Sequence, residues 1–352
     1  MQIDRERNSL KGNFTKLTFQ DIPHISGLLM SVWPKLYGDL GHPLFSSDYL
    51  QWVYGGPHQD KHILIGAWMD NSLVAYQGFL HRTISYCGRP LNAYLNTHAA
   101  ISPLLPYDLR MNCGFQIIKQ HILFDHESQF YADDCDLVYA FYDAEKSTAA
   151  ILDRQLKKNF GIQRKTVASF NQFVVMPNKL EKYLEEMSAK QGDFEVRLST
   201  EEDVPQLTAL FNQIPEGPHF TRQVTENELR HHLFGHADHQ THVVEQDGAL
   251  KALINFYPLE TVKENSTSTH ILIEYLIADS LKTEYTACLL REAVRFGKRI
   301  GAKSAVFENA NYLDYSLNRP MGLMPTLRKM TMSVMSKNGI FDYSGSFRCD
   351  VK

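Results

Sequence analysis

Apolar and polar positions follow the same order in two separate stretches of the chain. Phe14–Leu28 reads as a short strand, then a polar cap closed by Asp21, then a helix opened by Ile22 and Pro23 and carried on by Ile25 and Leu28. Phe194–Leu210 repeats it, with Thr200 at the cap, Asp203 three places on, Val204 and Pro205 in the first turn, and Leu207 and Leu210 along the helix. Thr200 suits an N-cap and Asp203 the reciprocal capping-box position. Proline is tolerated in a first turn because its missing N–H has no helical partner there.

The segments downstream of the two copies match as well. After the first come strand patterns at His62–Trp68, Leu73–Ile84 and Leu91–Ile101, separated by turns at Met69–Ser72 and Tyr86–Pro90. After the second come Thr241–Glu245, a turn at Gln246–Gly248, Ala249–Tyr257, a polar loop and His270–Ala278. Asp-Gly and Gly-Arg-Pro are turn chemistry, and the runs between them have strand composition. Both copies then turn helical, through Met111, Phe115, Ile118 and Ile122 in one and Tyr285, Leu289, Ala293, Phe296 and Ile300 in the other. A buried strand comes after each helix, Leu137–Tyr142 and Ser304–Phe307, and a further helix with a final strand or hairpin closes each copy near Thr166–Val175 and Thr326–Met335. The expectation is an N-terminal domain over residues 1–176, a linker at 177–193 containing Gly192, and a C-terminal domain over 194–352.

Composition narrows the class. A chain of 352 residues suits two domains, and 43% hydrophobic with 22% charged residues is the balance of a protein with real cores. The net charge of −4 predicts no general attraction to nucleic acid or anionic membrane, and the cluster Lys157, Lys158, Arg164 and Lys165 reads as a solvated face. Met1–Lys11 is charged throughout, unlike a signal peptide, and no apolar run is long enough to span a membrane. Five cysteines, odd in number and without a CxxC pair, fit a reducing compartment, so a cytoplasmic location is expected. The run His231, His232, His236, His239, His242 invites a metal reading, but Gly235 and the lack of a His-Glu-x-x-His motif argue for a polar loop and no metal. Asp133, Asp134 and Asp136 read as a solvated turn.

The element order, with a helix after the fourth strand, resembles the GCN5-related N-acetyltransferase (GNAT) family. Val196–Leu207 looks like the start of such a domain, Leu50–Tyr54 with Pro57 resembles the segment before its second strand, and Ala150–Gly161 is similar to its helix leading into a Gly-Phe turn. The resemblance spans nearly the whole chain, twice over. It implies an α/β (α+β) protein of two tandem GNAT-like domains, each a mixed, mostly antiparallel twisted sheet flanked by helices. It also implies acetyl-CoA or another acyl-CoA as co-substrate, held where a glycine-containing loop presents N–H groups to pyrophosphate at a helix N-terminus. The matching segment of copy one is Arg110, Met111, Asn112, Cys113, Gly114 and Phe115, with Gly114 at the last small position and Asn112 in place of the first glycine. Close helix–sheet packing would explain Gly114 equally. The second copy has no glycine at Ala278–Thr286 and carries Asp279 and Glu284, so CoA is assigned to copy one and the shaping of the acceptor pocket to copy two.

Direct acyl transfer needs a polarised thioester carbonyl, a base for the amine and an acid for the leaving thiolate. In the family, strand four supplies backbone N–H groups to the carbonyl and the pantetheine arm, which here implies Asn96–Ile101, with Ala99, Ala100 and Ile101 as the cofactor-binding residues. His98 on that strand is the candidate base or relay, and a satisfied histidine on a half-buried strand is the competing reading. Tyr142 stands nearest to the family's helix tyrosine, Ser147 is placed to touch the CoA arm, and Glu274 on strand four of copy two is a candidate carboxylate facing substrate. Cys113 beside the phosphate loop is a weaker candidate for a reactive thiol. The implied activity is acyl-CoA-dependent N-acyl transfer, most simply acetyl, to a small-molecule or peptide amine. The rivals are a GNAT-fold binding protein without catalysis, and aminoacyl transfer from charged tRNA, against which the acidic balance counts. The tail Ser344–Lys352 reads as a frayed end.

Overall fold

The computed structural model of the chain describes residues 14–37, 42–120, 123, 129–143, 154–159, 161–162, 164–187, 194–213, 219–263, 266–278, 282–308, 319–336 and 348–350. The first repeat runs β1 (Phe14–Lys16), α1 (Ile22–Tyr37), β2 (His42–Pro43), α2 (Ser47–Tyr54), β3 (Ile63–Met69), β4 (Ser72–Tyr86), β5 (Arg89–Ile101), α3 (Tyr107–Gln120), β6 (Leu137–Asp143) and β7 (Lys165–Val175). After α4 (Pro177–Met187) the second runs β8 (Glu195–Leu198), α5 (Val204–Phe211), β9 (His219–Gln223), α6 (Glu226–Phe234), β10 (Gln240–Gln246), β11 (Ala249–Lys263), β12 (Ser266–Ile277), α7 (Thr283–Ile300), β13 (Ala305–Glu308) and β14 (Leu323–Ser336), with β15 (Arg348–Asp350) after it.

Local chemistry explains why the elements start and stop where they do. Asp21 accepts the Thr18 backbone N–H at 2.7 Å, and Asp203 accepts that of Thr200 at 2.8 Å, so both first helices open on the same cap. Arg197 clamps Asp203 with two contacts of 2.8 Å and Glu245 with one of 2.7 Å, tying the second cap to β10. The hairpins turn on residue pairs with positive φ: Asp70 and Asn71 (49° and 60°), Cys87 and Gly88 (49° and 81°), Asp247 and Gly248 (53° and 72°). Two consecutive left-handed residues match the twist of the flanking strands.

Two sequence expectations change. The polar loop expected between Tyr257 and His270 is hairpin, since Thr261 pairs with Ser268 and Val262 with Thr267. The alternation there is of polar residues, which carries no hydrophobic signal. Met111 and Phe115, expected on the buried stripe of their helix, are 56% and 39% exposed; Cys113 and Ile117 face the core instead. Ile118's side chain, Ile122 and Ser147 lie outside the described residues.

One sheet carries both repeats, in the order β1-β3-β4-β5-β6-β14-β7-β13-β12-β11-β10-β8. Along this path the pairs are antiparallel except β5–β6 and β12–β13, the same position in each repeat; off it, β9 and β15 are also parallel. The last strands are exchanged: β14 pairs with β6, and β7 pairs with β13. A second exchange occurs outside that path, where β9 pairs with β4 and β2 with β11. Helix α4 is no loose joint: Leu180 is buried in the core with Leu289 and Phe307, and Tyr183 Oη lies 2.9 Å from Thr283 Oγ1.

The cores follow the two faces of this sheet. On one face of the first half, Ile22, Ile25, Leu29, Phe45, Tyr54 and Tyr76 pack together; on the other, Phe79, Cys113, Ile117 and Val138 do. The second half repeats this with Leu207, Leu229 and Tyr275 on one face and Phe256, Leu289 and Ala293 on the other.

The two repeats meet at the ends of α2 and α6. Ser46 caps the first, accepting the Tyr49 N–H at 3.2 Å, and Thr225 caps the second, accepting the Glu228 N–H at 3.2 Å. Counting from those caps, Trp52 and His231 occupy the same position. Trp52 Nε1–H donates to the His231 carbonyl at 3.4 Å, and His231 Nε2 lies 3.0 Å from the Trp52 carbonyl. A carbonyl only accepts, so His231 holds its proton on Nε2. Gly56, at φ 94°, lets the His231 ring in; a Cβ there would lie 2.7 Å from Cδ2. Urea unfolding should show His231→Ala losing roughly 0.5–1.5 kcal/mol and Gly56→Ala losing more than about 1 kcal/mol. Combined, they should cost less than their sum, because removing the ring leaves only backbone strain at Gly56. Strict additivity would refute the reciprocal contact.

Candidate active site

The parallel strands β5 and β6 pair only from Ala93–Leu137 to Asn96–Ala140. Beyond that, Thr97–Ile101 and Phe141–Asp143 continue without a shared register, opening a wedge. On its other edge β5 carries a bulge: Thr97 faces Gly78 and Ala100 faces Tyr76, so His98 and Ala99 stand opposite Gln77 alone. A bulge leaves the extra residue's backbone groups out of the ladder. His98 sits there at φ 55°. Among the described residues, the other non-glycine residues with positive φ, Asp70, Asn71, Cys87 and Asp247, are all at hairpin turns. A left-handed histidine inside a strand is held by its surroundings against a local cost.

Those surroundings are aromatic. His98 Nδ1 lies 2.7 Å from Tyr54 Oη, and the ring packs edge-on to Phe45 at 5.1 Å. Tyr76 completes the group. Its hydroxyl and that of Tyr54 converge on Gly78, where a Cβ would lie 2.6 Å and 3.2 Å from them. Burial lowers the His98 imidazole to about 4 and raises both phenols well above their ordinary range, Tyr54 further through the neighbouring Tyr76. At neutral pH the group is an uncharged imidazole bonded to an uncharged phenol.

The other expected residues are placed differently. Helix α3 begins at Tyr107, and the Arg110 N–H already bonds the Pro106 carbonyl at 2.9 Å. Met111, Asn112, Cys113, Gly114 and Phe115 therefore lie inside the helix, and the N–H groups ahead of its first bond belong to Tyr107, Asp108 and Leu109. The expected phosphate loop Arg110–Phe115 is not a loop. A Cβ on Gly114 would meet only Ile101 Cδ1 at 3.7 Å, an ordinary contact, so close packing does not require the glycine either. Cys113 is buried, which raises its thiol, the opposite of the shift that activates a nucleophilic cysteine. Ala99 is exposed, Ala100 is buried, and Ile101 packs beside Cys113 and Ile117.

Tyr142 is on β6 beyond its last pair with β5, with the Arg164 guanidinium over its ring at 4.8 Å. Glu274 has a sharper position than its sequence suggested. In copy two Asn255 faces Tyr275 and Phe256 faces Ile273, so Glu274 is the bulge residue of β12, the counterpart of His98 on β5. Of the histidine run, His232, His236 and His239 ring Trp52 at 5.7, 6.2 and 4.5 Å, and His239 stacks on Tyr257 at 4.3 Å. Among the described residues no three His, Cys, Asp or Glu side chains are grouped to hold a metal ion. Nor is any helix among them long and apolar enough to cross a membrane. Tyr54 and Tyr76 did not stand out in the sequence as site residues, although strict alternation in Leu73–Ile84 places Tyr76 on the face away from Phe79.

No family model matches the chain, and no curated protein matches its sequence. Solved structures do match its fold. Saccharomyces cerevisiae N-myristoyltransferase with bound myristoyl-CoA is 13% identical, over 92% of this chain and 78% of that one, with a TM-score of 0.67. A tandem GNAT protein from the clavulanic acid biosynthesis pathway is 10% identical over 94% and 99% of the two chains, with a TM-score of 0.57. A GCN5-related N-acetyltransferase from Kribbella flavida is 9% identical over 91% and 70%, with a TM-score of 0.50. At such identities the likeness establishes architecture: the chain has the tandem GNAT fold, a mixed and mostly antiparallel sheet flanked by helices.

The buried histidines set an acid limit. Burial lowers His62 to about 2, His239 to about 3 and His98 to about 4. The unfolded chain takes up these protons near pH 6.5 while the folded chain refuses them. Stability is therefore full above about pH 6.5 and falls as pH drops from there toward 4, with all three contributing. Urea midpoints measured at pH 8, 6 and 5 should decrease in that order; equal midpoints would contradict the burial of these rings.

Proposed function

We propose that this chain is an acyl-CoA-dependent N-acyltransferase whose reaction takes place at the His98 bulge. The observation that carries the reading is the left-handed His98 beside the β5–β6 wedge, in a fold shared with enzymes whose names specify N-acyl transfer. The thioester carbonyl oxygen would be met by backbone N–H groups that the bulge frees from the ladder, a preorganised stabilisation of developing negative charge. The amine attacks that carbonyl, the C–N bond forms and the C–S bond breaks. The amine's proton passes through the neutral His98 to the leaving thiolate. A conjugate acid near 4 holds that proton weakly, which suits delivery to the thiolate, and Tyr54 orients the ring.

The acyl group assigned is acetyl. Phe45, Tyr54 and Tyr76, all at or below 1% exposure, fill the space behind His98 against α1, which supports a short acyl group. Acyl-CoA is assigned to the first half, with Ala99, Ala100 and Ile101 along the acyl arm and the first turn of α3 toward the phosphates. The acceptor is a small-molecule or peptide amine. One observation favours a second reading, a GNAT fold that binds without transfer: α3 opens on Asp108, whose charge opposes a pyrophosphate.

Thermal unfolding with acetyl-, butyryl- and myristoyl-CoA tests binding, and release of free CoA thiol across an amine panel tests transfer. A bound acyl-CoA at about 100 times its dissociation constant stabilises by about 2.7 kcal/mol. His98→Asn, which tolerates the left-handed backbone, should keep that stabilisation and lose roughly 100-fold or more in turnover. No shift with any acyl-CoA would sink the transfer reading. An unchanged turnover in His98→Asn would remove His98 from it.

A further inference from the structure

Arg82 is 7% exposed and Arg222 5%, on neighbouring strands of different repeats. Ile84 of β4 faces Arg222 of β9, so Arg82, two residues along, is its diagonal neighbour on the same face. Arg82 Nη1 donates to the His81 carbonyl at 2.9 Å, while its Nε is buried and has no hydrogen-bond partner. Arg222 donates to Tyr275 Oη at 2.9 Å. The nearby carboxylate Glu228 is occupied: its Oε2 accepts from the Thr225 N–H at 2.8 Å and hydroxyl at 2.9 Å, and its Oε1 stands 3.5 Å from His58. Burial works against the charged Arg222, but Tyr275, Glu228, Tyr139 and Glu274 outweigh it and hold that guanidinium above its ordinary value, so Arg82 is the member of the pair left short of compensation. Burial, then Arg222, lower the Arg82 guanidinium to about 10, so it stays charged at neutral pH. The positive field is felt on both sides: His62 of the first repeat and His232 of the second are lowered by burial and by both arginines. An incompletely paired charge in such a place is costly to keep.

Its position relates it to the bulge. Tyr76 and Leu80 lie in one cluster with Tyr54, whereas Phe79 lies in the cluster on the opposite face, so from Tyr76 onward the even residues of β4 share a face and Arg82 is among them. Gly78 faces Thr97 beside His98, and Arg82 is four residues further, about 13 Å along the strand.

We propose that Arg82, supported by Arg222, is the anchor for a carboxylate carried by the amine acceptor. The acceptor class is an elongated amine, such as a short peptide, whose carboxylate lies on the order of 10 Å from the reacting nitrogen, roughly the reach of three extended residues. Guanidinium offers the planar donor pair a carboxylate requires. The acceptor assignment rests on the proposed acyl transfer; the anion site itself does not.

The first test therefore needs no turnover. Thermal unfolding of the full chain is followed in sodium acetate and in sodium chloride at equal ionic strength. Wild type should show a saturable rise in Tm specific to acetate. Arg82→Met should unfold at a higher temperature than wild type in chloride, having lost an unpaired buried charge, and should show no acetate effect. Absence of an acetate effect in wild type, or a lower Tm for Arg82→Met in chloride, overturns the site. The second test compares triglycine with triglycine amide as acceptors of the acetyl group. Triglycine should be favoured roughly tenfold or more in kcat/KM, and Arg82→Lys should erase most of that preference. Equal use of the two acceptors overturns the acceptor assignment. An acetate effect without any transfer upholds the anion site and counts against the acyltransferase reading instead.

Discussion

The exchange of final strands is the constraint on which the rest of the structure depends. β7 has β14 on one side and β13 on the other, and β14 lies between β7 and β6. Each repeat thus ends inside the other repeat's half of the sheet. A strand's N–H and C=O groups must be paired when buried, so neither β6 nor β13 finds its outer neighbour until the opposite end of the chain arrives. This ties folding to contacts of very long sequence separation, which is slow but joins both halves in one hydrogen-bonded ladder. It also sets the approximate twofold relation that brings α2 against α6, where Trp52 and His231 each reach the other's carbonyl.

Much of the local structure was legible in the sequence, and the reasons are local. Asp247-Gly248 announces its hairpin because both residues accept left-handed backbone, and Asp203 announces a helix start because its carboxylate satisfies an otherwise orphaned N–H. The exchange was not legible. The pattern in Lys165–Val175 says that the segment is a strand and nothing about which strands flank it. Gly114 was a misleading marker for the start of α3; Pro106, directly before Tyr107, was the better signal, since proline favours helix openings. The bulge was invisible for a different reason. His98 lies in a run of strand-like composition, and its left-handed conformation is imposed by Gly78, Tyr54 and Tyr76, residues distant in sequence.

His98 and Glu274 occupy the same kind of position in the two repeats. Both are bulge residues on the same strand of their repeats, each where β5 or β12 leaves its parallel neighbour. Of the two, His98 has the positive φ, and it is wedged among a phenylalanine and two tyrosines whose hydroxyls converge on a glycine. Strain of this kind persists where packing over-determines it. The bulge occurs in both repeats, and the aromatic frame of Phe45, Tyr54 and Tyr76 surrounds the one at His98.

The second repeat also reaches the strand that pairs with the His98 bulge. β9 leaves its own half to pair with β4, the strand that carries Tyr76, Gly78 and Arg82. By doing so it places Arg222 beside Arg82, and α6, next along the chain, brings His231 and His232 against Trp52. Burial beside Arg222 works against the charged Arg82, whereas Tyr275 and Glu228 favour the charged Arg222, and the sheet closed by exchanged strands holds the two together.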